Sequence, residues 1–521
     1  MADNTSQNNR IAKNTLFLYI RMLFVLIVGL YTSRVVLNVL GASDFGTSNV
    51  VGGFVSLFAF LNATFSSSIQ RFYNYEGGKF GDEGFTRVYS AGLRVHIILS
   101  LAILILLESF GTWYVNNVMV LPEGRLFAAN ILYQLTIINL ILVILQIPFC
   151  GAIIAKERMD FYALVSIVDV VLKLILIILL PYLSFDKLIA FASIQLTVQI
   201  INFALYVSYA KLQFKCLRWT KDIDKSLLKG MLSFSGWTLV GSFAFMFKGQ
   251  GVNLVLNSFF GTIINAARGV AFQINSAVMG FSSNLTMSFR PQLVHSYAEG
   301  NTKRTYSLFS SQSRLCYVIT LMLITPIILE MDYLLHLWLG NAVPNYTNIF
   351  ASLVLIDAMI NTLNAPVTQV VFATGKIRSY QIWSTIINIL LIPLCWIFLK
   401  MGFDAWIAFL LTIIISILCQ ITCLVVMHDV FHYSYKEYVC NTIMPCIAMT
   451  ILVPLLPTAI TYFMPDSFLR LILVSSSSLV VTVTLLYYCF LDNSEKGIVN
   501  SYIKKLKEGN KHTAGNLIRI V

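Results

Sequence analysis

Runs of mainly apolar residues, about twenty at a time, recur from residue 14 to residue 491, and short polar or charged breaks separate them. An α-helix rises 1.5 Å per residue, so roughly twenty such residues cross a hydrocarbon core about 30 Å thick. Glycine, proline and charge breaks predict fourteen helical spans. They lie near 14–39, 44–68, 89–113, 126–154, 161–181, 188–210, 230–257, 262–288, 307–330, 346–374, 380–399, 404–427, 439–463 and 467–491. The alternating period that marks barrel strands is absent from the pattern. One span is interrupted: FAFMFKGQGVNLVLNSFFG, residues 243–261, sets Lys248 beside Gly249 and Gly251 within an apolar run.

Composition narrows the class. The 521 residues are 57% hydrophobic and 12% charged, and the mean hydropathy is +0.77. A soluble domain has no interior large enough for that much apolar surface, so the sequence predicts an all-α, polytopic integral membrane protein. The polar start, MADNTSQNNRIAKNT, precedes an apolar run too long for a signal-peptide core and without an A-x-A-like end, and it reads as a retained first helix. Nine cysteines stand singly, mostly in apolar runs; they read as small buried hydrophobes, with no disulfide and no metal-ligand spacing.

Charge supplies orientation. The loops on the N-terminal side of the spans hold 25 Lys and Arg, and the opposite loops hold Arg125, Lys187 and Lys400. Cytoplasmic loops carry the excess, so both termini are expected in the cytoplasm. The net charge of +12 is mostly this asymmetry rather than a nucleic-acid surface. The basic tail, 492–521, reads as a segment lying on anionic headgroups.

The most basic internal loop, Lys211 to Gly230, falls between spans six and seven. A shift of about 220 residues aligns Gly41 with Gly261, Ser68 with Ser288, Ser90 with Ser310 and Arg94 with Arg314. A shift of 218 aligns Pro148 with Pro366 and Tyr162 with Tyr380. The expected organisation is a six-helix bundle at 1–210, a basic linker at 211–229 and a second, pseudo-twofold-related bundle at 230–430. Helices 13 and 14 follow at 431–491.

Enzymatic chemistry has little support. The outer loops are short, GGKF at Gly77 and TGKI at Thr374 lack a Walker A frame, and no H-E-x-x-H occurs. Ionisable residues inside the spans remain, and each is costly unless it faces a cavity or a partner. Asp169 and Lys173 are four apart on one helix, in the order that favours pairing. Arg94 and Arg314 lie near inner helix ends, where they can snorkel, and Arg470 sits at an outer helix start as an interfacial residue. Arg21, Arg34, Lys248 and Arg268 have no acidic partner at i+3 or i+4 and form a candidate cationic cavity. Asp357, followed by Asn361, Asn364 and Pro366, is a candidate site for Na+ or H+ coupling or a partner for a buried cation. Gly249 and Gly251 weaken span seven and predict a hinge or an unwound turn. Asn62, Gln250, Asn253, Asn265, Gln273 and Asn275 are candidates for a wet cavity or for helix packing.

Residues 18–79, from LYIRMLFVLIVGLYTSR through LGASDFG to SSSIQRFYNYEGGK, resemble the opening of the O-antigen and polysaccharide (Wzx-like) flippases. That family lies within the multidrug/oligosaccharidyl-lipid/polysaccharide (MOP) exporter superfamily. Residues 261–301 are similar to that superfamily's eighth helix and the loop after it, with the Arg290-Pro291 pair. The resemblance implies two six-helix bundles around a cationic cavity, with basic residues on the first and eighth helices, where Arg21, Arg34 and Arg268 fall. It also implies alternating access that carries an undecaprenyl-pyrophosphate-linked oligosaccharide across a bacterial inner membrane. A monomer without cofactor is expected, with polysaccharide-synthesis proteins as partners. Three other readings compete. A drug or cation antiporter of the superfamily would rely on Asp357, a lipid II flippase would also be cationic inside, and a glycan polymerase would need a large outer loop.

Overall fold

The computed structural model describes the backbone of residues 2–490 apart from 59, 157, 222–224, 299 and 375–377, with 496 beyond them. Side chains are described from Phe24 onward, apart from positions within 59–74, 222–245, 284–299 and 372–377 and at 157, 159, 163, 430 and 489. The side chains of Arg21, Asn62 and the Arg290-Pro291 pair, and the tail 497–521, therefore lie outside the described residues.

Every regular element among the described residues is helical. In chain order they begin with α1 (Ala2–Ser56) and α2 (Phe60–Leu106), which passes through a π-turn at Leu107–Gly111 into α3 (Thr112–Asn117). Next come α4 (Leu126–Ala155), α5 (Met159–Leu179), α6 (Lys187–Gln213), α7 (Lys225–Phe260), α8 (Thr262–Ala298) and α9 (Thr302–Leu329). A short α10 (Met331–Leu339) precedes α11 (Thr347–Thr374), α12 (Arg378–Lys400) and α13 (Ile407–Phe431). The chain continues through α14 (Tyr435–Tyr438), α15 (Met444–Leu452), α16 (Leu455–Phe463) and α17 (Phe468–Leu485).

Eleven helical segments among the described residues are long and apolar enough to cross a membrane. This is a multi-pass membrane protein of all-α fold. The expected second span shares a segment with the first, while α7 and α8 fall outside the eleven. Those two are 36 and 37 residues long, ample for a crossing, and part of each lies outside the residues whose side chains are described.

Glycine sets several boundaries. Gly41 (φ 72°) interrupts α1, Gly81 (φ 59°) interrupts α2, and Gly261 (φ 73°) alone separates α7 from α8. A side chain with a Cβ resists that left-handed conformation. The polar stretch expected as a loop between spans two and three is instead helix on both sides of Gly81. Gly41 and Gly261, aligned by the internal repeat, adopt nearly the same φ.

Contacts divide the chain into two compact units. The larger comprises Met1–Gly280, Leu334–Asn361 and Thr374–Val430. In it α4 packs against α2 and α6, α1 against α5, and α7 against α2 and α12. Its core is built on Phe54, Ile69, Tyr73, Tyr133, Ile137 and Ile144. Tyr73 Oη donates to the Pro148 carbonyl at 3.1 Å and Tyr133 Oη to that of Leu107 at 2.7 Å, which satisfies two buried hydroxyls. Ile98, Leu101, Ile105, Trp383 and Ile386 stand outward, the reverse of a soluble surface. The basic segment after α6 is held rather than loose. Ser90 Oγ donates to the Arg218 carbonyl at 2.9 Å, and Arg94 donates to Lys221 O at 3.2 Å with its guanidinium 4.6 Å from the Trp219 ring.

The smaller unit comprises Phe281–Tyr333, Thr362–Ala373 and Phe431–Val521. Here α9 packs with α15, α16 and α17, and Phe309 stacks on Tyr438 with ring centroids 4.9 Å apart. Arg470, expected at the interface, is buried and makes a forked pair with Glu330, Nε to Oε1 at 2.8 Å and Nη2 to Oε2 at 2.7 Å. Its position at a helix start gave no hint of this carboxylate, which sits at the C-cap of α9.

Candidate functional site

The candidate site lies in the larger unit, on α7, α8, α11 and α13. Through the Lys-Gly-Gln-Gly stretch α7 stays helical, so the unwound turn expected there is absent from this conformation. The two glycines have different surroundings. A Cβ on Gly251 would run into the side chain of Ile392 on α12, so that glycine permits close helix approach. A Cβ on Gly249 would meet open space, and the Gly249 carbonyl accepts a hydrogen bond from Arg268 Nη2 at 2.7 Å.

Arg268 is 6% exposed, and its guanidinium lies 4.2 Å from the Phe272 ring centroid. Its Nε is buried with no hydrogen-bond partner among the described residues. A guanidinium has five donors, so this cation is far from saturated. Lys248 points elsewhere. It is 9% exposed, its Nζ donates to Ser416 Oγ on α13 at 2.9 Å, and its charge interacts with Asp357 on α11. Asp357 Oδ2 accepts from Asn361 Nδ2 at 2.8 Å, one helical turn on, while its Oδ1 is buried without a hydrogen-bond partner.

Arg34 is brought to neither group. It is exposed, and its Nη1 donates to the Leu337 carbonyl at 3.4 Å, while Trp338 Nε1 donates to Leu30 O at 2.7 Å. A cavity of about 380 Å³ opens between α1 and α8, lined by Val25, Leu26, Gly29, Leu30, Ser33, Gln273, Ser276, Ala277 and Gly280. Gln273 Oε1 in that lining has no hydrogen-bond partner among the described residues.

The other amides divide by role. Asn265 Nδ2 donates to both Asn253 O and Asn253 Oδ1 at 2.8 Å, and Asn257 Nδ2 reaches Asn265 Oδ1 at 3.1 Å and Val120 O at 3.0 Å. Asn253 Nδ2 reaches Asn49 O at 3.2 Å. This buried amide ladder fastens α7 and α8 to each other, to α1 and to the α3–α4 loop. It is packing rather than a wet lining. Sequence reasoning missed Ser416 and Asn257, because one serine or asparagine in an apolar span carries no signal until a neighbouring helix supplies its partner. Asp169 and Lys173 pair at 2.9 Å, as their spacing predicts, and Asn202 on α6 donates to the same carboxylate at 2.6 Å.

No protein-family model and no curated protein sequence matches this chain. Among solved structures it is similar to the lipid II flippase MurJ in an inward closed conformation. The TM-score is 0.70 at 14% identity, covering 91% of this chain and 99% of that one. The chain shares the fold of that structure. A multidrug-resistance MATE transporter of the MOP superfamily, inward-facing, matches with a TM-score of 0.54 at 13% identity over 80% of this chain and 99% of that one. A MOP-superfamily transporter from Pyrococcus furiosus, described as having a binding pocket of reverse polarity, matches at 0.51 and 12% identity over 80% and 96%.

Proposed function

We propose that the chain is a flippase of the MOP fold that moves an undecaprenyl-pyrophosphate-linked oligosaccharide between leaflets by alternating access. On this reading it serves O-antigen, capsule or exopolysaccharide assembly. The observation that carries the reading is Arg268, a buried guanidinium with an unpartnered Nε and no carboxylate bonded to it among the described residues. A buried cation held by one carbonyl and one ring is costly in hydrocarbon, and an anionic ligand with paired oxygens removes that cost. Arg34 on α1 adds a second guanidinium, this one exposed. Arg21 belongs to the same proposal by sequence alone. The cavity between α1 and α8 has room for part of a prenyl chain.

The reading places the protein in a bacterial inner membrane as a monomer with both termini cytoplasmic, alongside polysaccharide-synthesis partners. The lipid II flippase reading shares the same pyrophosphate chemistry, and the similarity to MurJ over 91% of the chain favours it as the second choice. The cation-antiporter reading rests on Asp357, whose Oδ1 is buried without a hydrogen-bond partner among the described residues.

Purified protein in liposomes, given a fluorescent lipid-linked oligosaccharide, lipid II or a cationic dye in separate assays, tests the proposal. Transport of the oligosaccharide lipid is expected, with a drop of tenfold or more in Arg268→Ala and partial recovery in Arg268→Lys. Transport of lipid II alone would favour the second reading, and transport of the dye alone would overturn both.

A further inference from the structure

We infer that the outer part of the face shared by α2 and α4 is a lateral docking surface for a transmembrane helix of another protein, one that brings a lysine or arginine to Glu108. Ile98, Leu101, Ile105 and Glu108 follow one another at spacings of three or four residues, so they share one face of α2 and of the π-turn that continues it. The three apolar members are 66%, 57% and 61% exposed, as a lipid-facing row is. Glu108 extends that row and is exposed as well. Its depth makes this unusual. Glu108 Oε2 accepts from Gln134 Nε2 on α4 at 3.0 Å, and Gln134 stands nine residues beyond Arg125, which ties Asp44 and Asp186 together at the helix ends. The carboxylate therefore sits about 13 Å along α4 from that charged end.

A carboxylate inside a membrane ordinarily faces the bundle interior or pairs with a cation. Glu108 does neither. It forms no ion pair among the described residues, and its other hydrogen bond is a long one, from Thr112 Oγ1 at 3.5 Å. Toward the outer end the polar groups continue. Asn130 Nδ2 donates to Asn116 Oδ1 at 2.8 Å and Asn116 Nδ2 to Asn130 Oδ1 at 3.2 Å, with Asn116 exposed. Phe110 and Trp113 stand outward beside them. Packing and interhelical hydrogen bonds hold helices together in lipid, where no hydrophobic force does, and this face offers both. Charge decides the occupant. A twofold contact between two copies would set one Glu108 near the other, like against like. Lys248, Arg268, Arg314 and Arg470 are buried and Lys173 is paired with Asp169, so a second copy has none of these to offer. A head-to-tail contact with the exposed Arg34 would leave an open chain of copies rather than a closed pair. A foreign helix with one basic residue neutralises the carboxylate and covers the polar row at once. The inference needs no assignment of the transported lipid.

Model helices test it. Full-length protein carrying a donor fluorophore is reconstituted in liposomes with single-span, leucine-rich peptides that carry an acceptor and, at one position level with Glu108, lysine, glutamine or leucine. The lysine helix is expected to associate with the wild type about fivefold more strongly than the leucine helix, the scale of one interhelical polar contact in a bilayer, and the glutamine helix to fall between. Glu108→Gln, equal in size and at an exposed position, is expected to remove the lysine preference, whereas Glu123→Gln in the exposed α3–α4 loop keeps it. Equal association of the lysine and leucine helices with the wild type would overturn the inference, as would a lysine preference that survives Glu108→Gln. Energy transfer between two labelled copies of the chain that Glu108→Gln abolishes would overturn it in favour of a self-contact. Lipid transport, read separately in the liposome assay, bears on none of these outcomes.

Discussion

Arg470 and Lys248 show how differently two buried cations can be settled. Arg470 meets Glu330 in a forked pair, with the Glu330 side chain fully buried, and also pairs with the exposed Asp466 at 2.6 Å and bonds the Met464 carbonyl at 3.0 Å. Removing Arg470 leaves the buried Glu330 carboxylate uncompensated, which costs about 3–5 kcal/mol, whereas removing Glu330 leaves Arg470 its pair with Asp466. Arg470→Leu is therefore expected to lower the melting temperature sharply, while Glu330→Met with Arg470→Leu recovers most of the loss. A variant as stable as the wild type in detergent melts would show that the pair contributes nothing. Lys248 bonds a hydroxyl, Ser416 Oγ at 2.9 Å, and is within 4 Å of no carboxylate among the described residues. At this scale the sequence was most readable where partners are local. Asp169 and Lys173, four apart, announce their pair, as Asp466 and Arg470 do, whereas Glu330 lies 140 residues from Arg470 and does not.

At the scale of elements, helix ends are anchored by polar groups drawn from several places. Asp186 caps α6, accepting from Leu188 N at 3.0 Å and Ile189 N at 3.2 Å. Arg125 joins that carboxylate to Asp44 on α1, with Nη2 3.0 Å from Asp186 Oδ1 and Nε 2.8 Å from Asp44 Oδ1. The Arg125 guanidinium, followed by the backbone amides of the cap, holds the Asp186 carboxyl below its ordinary range. A carboxyl depressed in the folded state stabilises above its unfolded pKa, about 3.9, and that contribution is lost as pH falls through the folded value. Asp186→Ala is expected to cost about 1–2 kcal/mol at neutral pH. The gap from wild type should close below about pH 4, which melts across a pH series would check; a gap independent of pH would exclude the linkage. Helix breaks at glycine were partly legible. Gly261 ended a predicted span, but the helical hairpin around Gly81 was hidden, because polar residues there read as loop although their backbone bonds are satisfied within helices.

For the whole molecule, orientation is the main quantity that composition predicts. Of the three basic residues on the sparse side, Arg125 is consumed by two carboxylates, and Lys187 Nζ donates to backbone carbonyls, Pro181 O at 2.9 Å among them. Lys400 and Lys215 are exposed on opposite sides in the expected topology. In a background without native cysteines, a membrane-impermeant maleimide added to spheroplasts is expected to label Lys400→Cys and to spare Lys215→Cys until the membrane is opened. The reverse pattern would invert the orientation.

Hydropathy by itself determined that the chain is helical and crosses a membrane many times, because burying a backbone in hydrocarbon leaves few other solutions. It also marked α7 and α8 as the helices with unusual polar content. Only the tertiary structure decided which of those polar groups pack, which pair and which stay unsatisfied. Asn253, Asn257 and Asn265 became a packing ladder, Lys248 turned to Ser416, and Arg268 kept a free donor. The reason is physical. A periodic apolar pattern selects the solvent for each helix one residue at a time, but the fate of a buried polar group depends on what a distant helix places within 3 Å of it.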